Sequence, residues 1–179
     1  QQKISYDFVV EEAEKSGDEK IQNAIKAIGP PPYNTPKKEF EKARYIIRYG
    51  GFIHNNPIKQ IGFIMLNYLA SPEYSLLEAF KTMSGKGLNF TMDARYEEIE
   101  NTNLTKEIQS IKVPIYFFVG QYDMTTPTVQ IENFYKGLDA EKGKRLIIFE
   151  NSAHLPIIEE KKKYQDLLVN VVLKESHNQ

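Results

Sequence analysis

Asp123 and His154 are the two side chains whose type and setting point to chemistry. A histidine titrates near neutral pH, so it can take a proton from an attacking hydroxyl and return it to a leaving group. An imidazole alone can rotate or adopt the wrong tautomer. A carboxylate on its other nitrogen fixes both and stabilises the imidazolium. The two residues are thirty-one positions apart, each in a polar loop that follows a short apolar run. The chemistry such a pair can perform is general acid–base catalysis, with His154 as the base and acid and Asp123 as its orienting partner. The other histidines carry less. His54, within Gly51-Phe-Ile-His-Asn-Asn-Pro57, reads as a loop residue, and His177 as part of a terminal tail. With 3 scattered histidines and no cysteine, no metal site is expected.

Those two loops need elements that bring them together. Val113–Val119 is apolar apart from one tyrosine hydroxyl and ends at Gly120, and Leu146–Phe149 reads the same way over fewer residues. Such runs are expected as strands buried on both faces, the usual condition of a parallel sheet. Thr126-Pro127 should open a helix between them, with Thr126 as N-cap and Pro127 at the first helical position. Pro156 should open another after His154. Strand, helix, strand, helix implies parallel strands joined by a right-handed crossover. Asp123 and His154 then share the carboxyl edge of the sheet, where open α/β sheets place their sites.

The run from Val113 through Pro-Ile-Tyr-Phe-Phe-Val-Gly-Gln-Tyr-Asp123 to Met-Thr-Thr-Pro127, followed by Asn151-Ser-Ala-His154, resembles the end of an α/β-hydrolase. The branch it is most similar to is that of capped hydrolases like the proline iminopeptidases. The resemblance covers about residues 105–179 and is looser over 1–104. It implies that Asp123 and His154 are the second and third members of a Ser–Asp–His triad. It further implies a helical cap over 1–104 and the carboxy-terminal βαβα portion of the core over 105–179, with no cofactor. In that family the nucleophile precedes the cap. Here no Gly-x-Ser-x-Gly occurs, the nearest approach being Met83-Ser84-Gly85 after Thr82, and there is no cysteine to replace it. The chain is therefore expected to be the carboxy-terminal part of a longer serine hydrolase, inactive alone, with its unpaired strand edge driving self-association. The family's cap often holds a free amine near a Trp-rich motif ending in Glu. This chain has no tryptophan, and nothing selects among Glu73, Glu78, Asp93, Glu97 and Glu98 as substrate contacts.

The rest of the chain bounds the alternatives. Lys plus Arg number 23 against 24 Asp plus Glu, a net charge of −1 that gives no field to collect nucleic acid or an anionic membrane. With 11 Tyr, 10 Phe and 41% hydrophobic residues there is enough for a core. The absence of cysteine fits a reducing, cytoplasmic setting, and no apolar run is long enough to span a membrane. A short helical pattern over 6–16 puts Phe8, Val9 and Ala13 inward and stops at Gly17. Asp18 caps a second helix with Ile21, Ala24, Ile25 and Ile28 on one face. The Pro30-Pro31-Pro32 connector precedes a helix from Thr35-Pro36 that carries Phe40, Ala43 and Ile47. An apolar helix follows over 58–69. Ser71-Pro72 should cap another, with Leu76, Leu77, Phe80 and Met83 on one side. Residues 88–103 show no clean period and read as loop with at most a short helix. The run Glu159-Glu160-Lys161-Lys162-Lys163 reads as the solvated face of a last helix whose inner face is Tyr164, Leu167, Leu168, Val171 and Val172. Two other functions remain open: a helical interaction module with a relict βα pair, and a non-hydrolytic relative of the α/β-hydrolases.

Overall fold

The computed structural model describes residues 1–83 and 86–177. Ser84 and Gly85, the nearest approach to a nucleophile motif, lie outside them. The first half is helical: α1 Gln2–Ser16, α2 Glu19–Ile28, α3 Pro36–Arg48, α4 Pro57–Ala70, α5 Leu76–Met83, α6 Lys86–Asn101 and α7 Leu104–Glu107. Local chemistry sets most of their ends. Gly17 stops α1 in the left-handed region that glycine enters without strain. Asp18 caps α2 by accepting from the amides of Lys20 and Ile21.

Helix α1 begins at Gln2, ahead of the expected residue 6, the short α7 is not foreshadowed by the sequence, and α3, α5 and α6 differ further from expectation. The cap of α5 is Ser75, not Ser71. Its hydroxyl accepts from the Glu78 amide while Glu78 accepts from the Ser75 amide and hydroxyl, a reciprocal capping box. Those bonds from Ser75 hold the Glu78 carboxyl below its ordinary range. In α3 the fully buried residues are Pro36, Lys42 and Ile46, while Phe40, Ala43 and Ile47 are half-buried. The buried Lys42 Nζ lies 2.7 Å from Glu39 and 5.4 Å from the centre of the Tyr33 ring. Residues 88–103, expected as loop, belong mostly to the 16-residue helix α6. Buried Tyr96 is held there by a hydroxyl bond to the Tyr33 carbonyl, and Arg95 pairs with Glu98. Most of its other described side chains face solvent, so there is no buried stripe to leave a period.

The second half supplies the sheet: β1 Ser110–Ile111, β2 Ile115–Gly120, α8 Thr128–Gly137, β3 Asp139–Ala140 and β4 Lys144–Phe149. β2 and β4 pair in parallel from Ile115 opposite Lys144 to Gly120 opposite Phe149, as the order of elements required. β1 and β3, which the sequence reading did not include, form a second parallel pair of two residues each. Alternation in β2 sends Phe117 to one face, where it meets Phe134 and Tyr135 of α8 edge-on. Phe118 goes to the other face and packs on Phe149 and Tyr164. Helices thus cover both faces of a mixed α/β unit. The cover is partial. Only Val119 and Gly120 of β2 are buried and Val113 is exposed, because among the described residues each strand of this pair has a single neighbour.

After the His154 loop come α9 Pro156–Glu159, α10 Lys161–Leu167, a π-helical turn over Leu168–Leu173 and α11 Lys174–His177. The π turn widens the helix and slips its inner face, so Leu168 is exposed where it was expected inward. The charge run before it is only half solvated. Lys161 and Lys162 are exposed, whereas Glu159, Glu160 and Lys163 are partly buried and bonded. Lys163 donates to the Ile148 carbonyl and pairs with Glu150, whose carboxyl it holds low.

The main helical core is Val9, Ala13, Ile25 and Ile46, with Tyr45, Tyr49, Phe52 and Met124 packed around it. Met124 belongs to the loop after β2, so this core reaches directly to the loop that carries Asp123. Among the described residues no helix is long and apolar enough to cross a membrane, and no group of three or more His, Cys, Asp or Glu is placed to hold a metal ion.

Candidate active site

The loops after β2 and β4 are drawn together by the ends of their strands. Gln121 donates its amide to the Phe149 carbonyl at 2.9 Å, and Tyr122 to the Ser152 carbonyl at 3.0 Å. Gly120 permits this approach. A Cβ there would lie 1.8 Å from the Ala153 carbonyl oxygen and 2.6 Å from that of Ser152. The residue after the apolar run is glycine because the His154 loop passes against its backbone.

In that setting Asp123, 4% exposed, turns back on its own loop. Its Oδ1 accepts from the amides of Thr125 at 2.8 Å and Thr126 at 2.9 Å. Its Oδ2 accepts from the Thr126 hydroxyl at 2.7 Å and lies 2.9 Å from His154 Nδ1. A carboxylate only accepts, so the proton of this contact sits on Nδ1, and Nε2 is the basic nitrogen of the neutral ring. The Thr126 hydroxyl is also 3.3 Å from Nδ1. Having given its hydrogen to Asp123, it can only take a weak share of the Nδ1 proton. Nε2 has no hydrogen-bond partner among the described residues, and the His154 side chain is 32% exposed. The arrangement can accept a proton at Nε2 and stabilise the resulting charge through Nδ1.

Thr126 is where the sequence reading of this loop fails. It was expected to cap α8, but that helix begins at Thr128 with Pro127 at the cap position and no side-chain cap bond. The hydroxyl serves Asp123 instead. A buried aspartate followed three positions later by a threonine is the local signal, since short polar side chains at that spacing close on neighbouring backbone and on each other.

The helical half contributes more to the site than expected. Gly51 gives its carbonyl to the Met124 amide at 2.9 Å, and Phe52 gives its carbonyl to the His154 amide at 3.0 Å. A Cβ on Gly51 would meet Met124 Cβ at 2.7 Å, so this contact too depends on glycine. The Phe52 ring lies 5.5 Å from the imidazole of His154. His54, read as a loop residue, stacks flat on Tyr122 with ring centroids 3.6 Å apart. Ser5 of α1 donates its hydroxyl to the Met124 carbonyl, and Gln1, at the cap position before α1, donates its side-chain amide to the Thr125 carbonyl. Residues 51–55 thus form one wall of the site. The candidate acids Glu73, Glu97 and Glu98 sit exposed on the helical region, as does Asp93. Glu78 is engaged in the α5 cap.

A cavity of about 400 Å³ is lined by Ile64, Tyr68 and Tyr74 of the helical half and by Ile158 of α9.

No family model matches the chain, and no solved structure matches it. Curated relatives do. The probable aminopeptidase YbaC of Bacillus subtilis is 27% identical over 172 residues, which cover 94% of this chain and 52% of that protein. A proline iminopeptidase of Saccharolobus solfataricus is 39% identical over 70 residues, covering 39% of this chain and 21% of that protein. The chain spans about half the length of the first relative and about a fifth of the second.

Proposed function

We propose that these residues form the carboxy-terminal part of a serine hydrolase that cleaves ester, amide or peptide bonds. They contribute the orienting acid Asp123, the general base His154 and the helical region that selects the substrate. The observation that carries this reading is the 2.9 Å contact between buried Asp123 Oδ2 and His154 Nδ1, which leaves Nε2 basic. The likeness to proteins named aminopeptidase and proline iminopeptidase supports peptide bonds, and short peptides, as the substrate class.

In this scheme a serine hydroxyl from sequence outside residues 1–179 gives its proton to Nε2 as its oxygen attacks the carbonyl carbon. The imidazolium is held by Asp123 through the Nδ1 proton. Nε2 then passes the acquired proton to the departing amine or alkoxide, leaving an acyl-enzyme. Water repeats the sequence, deprotonated at the same nitrogen, and releases the acid. Residues 1–104 act as the cap and 105–179 as the core portion, with the 51–55 loop joining the two at His154.

A second reading, a helical interaction module, has one observation in its favour. Leu66, Leu76, Leu77, Phe80 and Phe90 all stand exposed on α4 to α6. One experiment separates the two. Purified 1–179 should hydrolyse neither proline 4-nitroanilide nor 4-nitrophenyl acetate above background and should not react with a fluorophosphonate probe. The product of the full reading frame should do both. Turnover by 1–179 that His154→Ala abolishes would place the nucleophile inside this chain. An inert, folded full-frame product would remove the hydrolase reading.

A further inference from the structure

Glu159 ends the one-turn helix α9, five residues beyond His154. Its carboxylate points back at the loop it follows. Oε2 accepts from the amide of Ala153, the residue before His154, at 2.7 Å. Oε1 accepts from the amides of His54 at 2.7 Å and Asn55 at 3.1 Å. The His154 amide in turn donates to Phe52, so the 52–55 segment, Glu159 and the Ala153–His154 backbone form a closed ring of hydrogen bonds. Its neighbour Glu160 accepts from the Asn151 amide and the Ser152 hydroxyl, and Asn55 Nδ2 reaches the Asn151 carbonyl.

We infer that Glu159 is a positioning residue for His154, holding the imidazole on Asp123 by tying the histidine's loop to the 52–55 segment of the helical half. This rests on the reading of His154 as the base. The physical need is plain. The loop between β4 and α9 is short and carries amides that neither element can satisfy, and an unsatisfied amide is costly. A loop left loose would let the ring drift from Asp123, and displacement by about 1 Å can cost on the order of a hundredfold in rate. A carboxylate shared by three amides from two segments fixes both at once, and charge-assisted bonds are the stronger kind.

The test uses the 15N-labelled chain and needs no turnover. The wild-type His154 ring should show a single Nδ1–H tautomer, and the amides of Ala153, His54 and Asn55 should be protected from exchange. In Glu159→Gln the amide group turns a donor towards the Ala153 N–H. Exchange at Ala153 should speed up by about tenfold or more, and an Nε2–H tautomer of His154 should appear. Glu159→Ala should release all three amides. An unchanged His154 tautomer in both variants would overturn the positioning role. Asp123→Asn is the companion: if it leaves the His154 ring spectrum as in wild type, the base reading itself fails, whatever Glu159 does. Should the Glu159 variants not fold, the wild-type amides decide, since free exchange at Ala153 would show that Oε2 does not hold it.

Discussion

Thr126 and His154 share one oxygen of Asp123, at 2.7 Å and 2.9 Å, while the other oxygen is occupied by two amides of the same loop. The carboxylate can therefore stay buried without a cation beside it, because every lone pair it turns inward meets a donor. Removing one donor should be felt. Thr126→Val keeps the shape of the side chain but deletes the hydroxyl, and hydrogen bonds to charged groups contribute about 1.5–3 kcal/mol. Urea unfolding should show a loss of about 1.5–3 kcal/mol for Thr126→Val, and Thr126→Ser, which retains the donor, should recover most of it. Equal midpoints for wild type and Thr126→Val would mean that the hydroxyl does not support Asp123.

The elements that place these residues are β2 and β4, and Gly120 sets how closely their loops pass. Gly120→Ala would put a Cβ 1.8 Å from the Ala153 carbonyl oxygen, a clash with backbone and not with a side chain that can swing away. Overpacking of this kind costs about 1–3 kcal/mol and more where the backbone must move. The expected result is a shift in the urea midpoint of at least that size, with looser protection of the Ala153 amide. A midpoint within error of wild type would show that the two loops are not packed as described. The strand pair was legible in the sequence because Val113–Val119 and Leu146–Phe149 are continuous apolar runs stopped by polar loops. Parallel pairing followed from the helix between them, and the meeting of Asp123 with His154 followed from parallel pairing. What escaped was whatever leaves no period. Helix α6 buries Tyr96 but few of its other described side chains, and β1 and β3 are two residues long. Glu159 and Glu160 looked like solvated charge, because one-dimensional composition cannot show that a carboxylate faces three amides brought from elsewhere.

Across the whole molecule the helical half is not an appendage. Its 51–55 segment and the start of α1 bond directly to the loops of Asp123 and His154. The outward side of that half is different, with Leu76, Leu77, Phe80 and Phe90 all more than 60% exposed on α5 and α6. β2 and β4 also each keep one unpaired edge among the described residues. Residues 1–179 expressed alone should therefore self-associate. Light scattering should give a mass above 20.7 kDa that rises with concentration, and Leu76→Glu with Phe80→Glu should lower it. A monodisperse monomer at high concentration would contradict this. The central claim is that His154 is the proton-transfer group of a hydrolase, and its most direct test is kinetic. In the product of the full reading frame, His154→Ala should reduce kcat for its best peptide or ester substrate by on the order of 10⁴-fold or more, with KM little changed, because members of such a triad act as a unit. A loss of only a few fold in a folded variant would take His154 out of the mechanism.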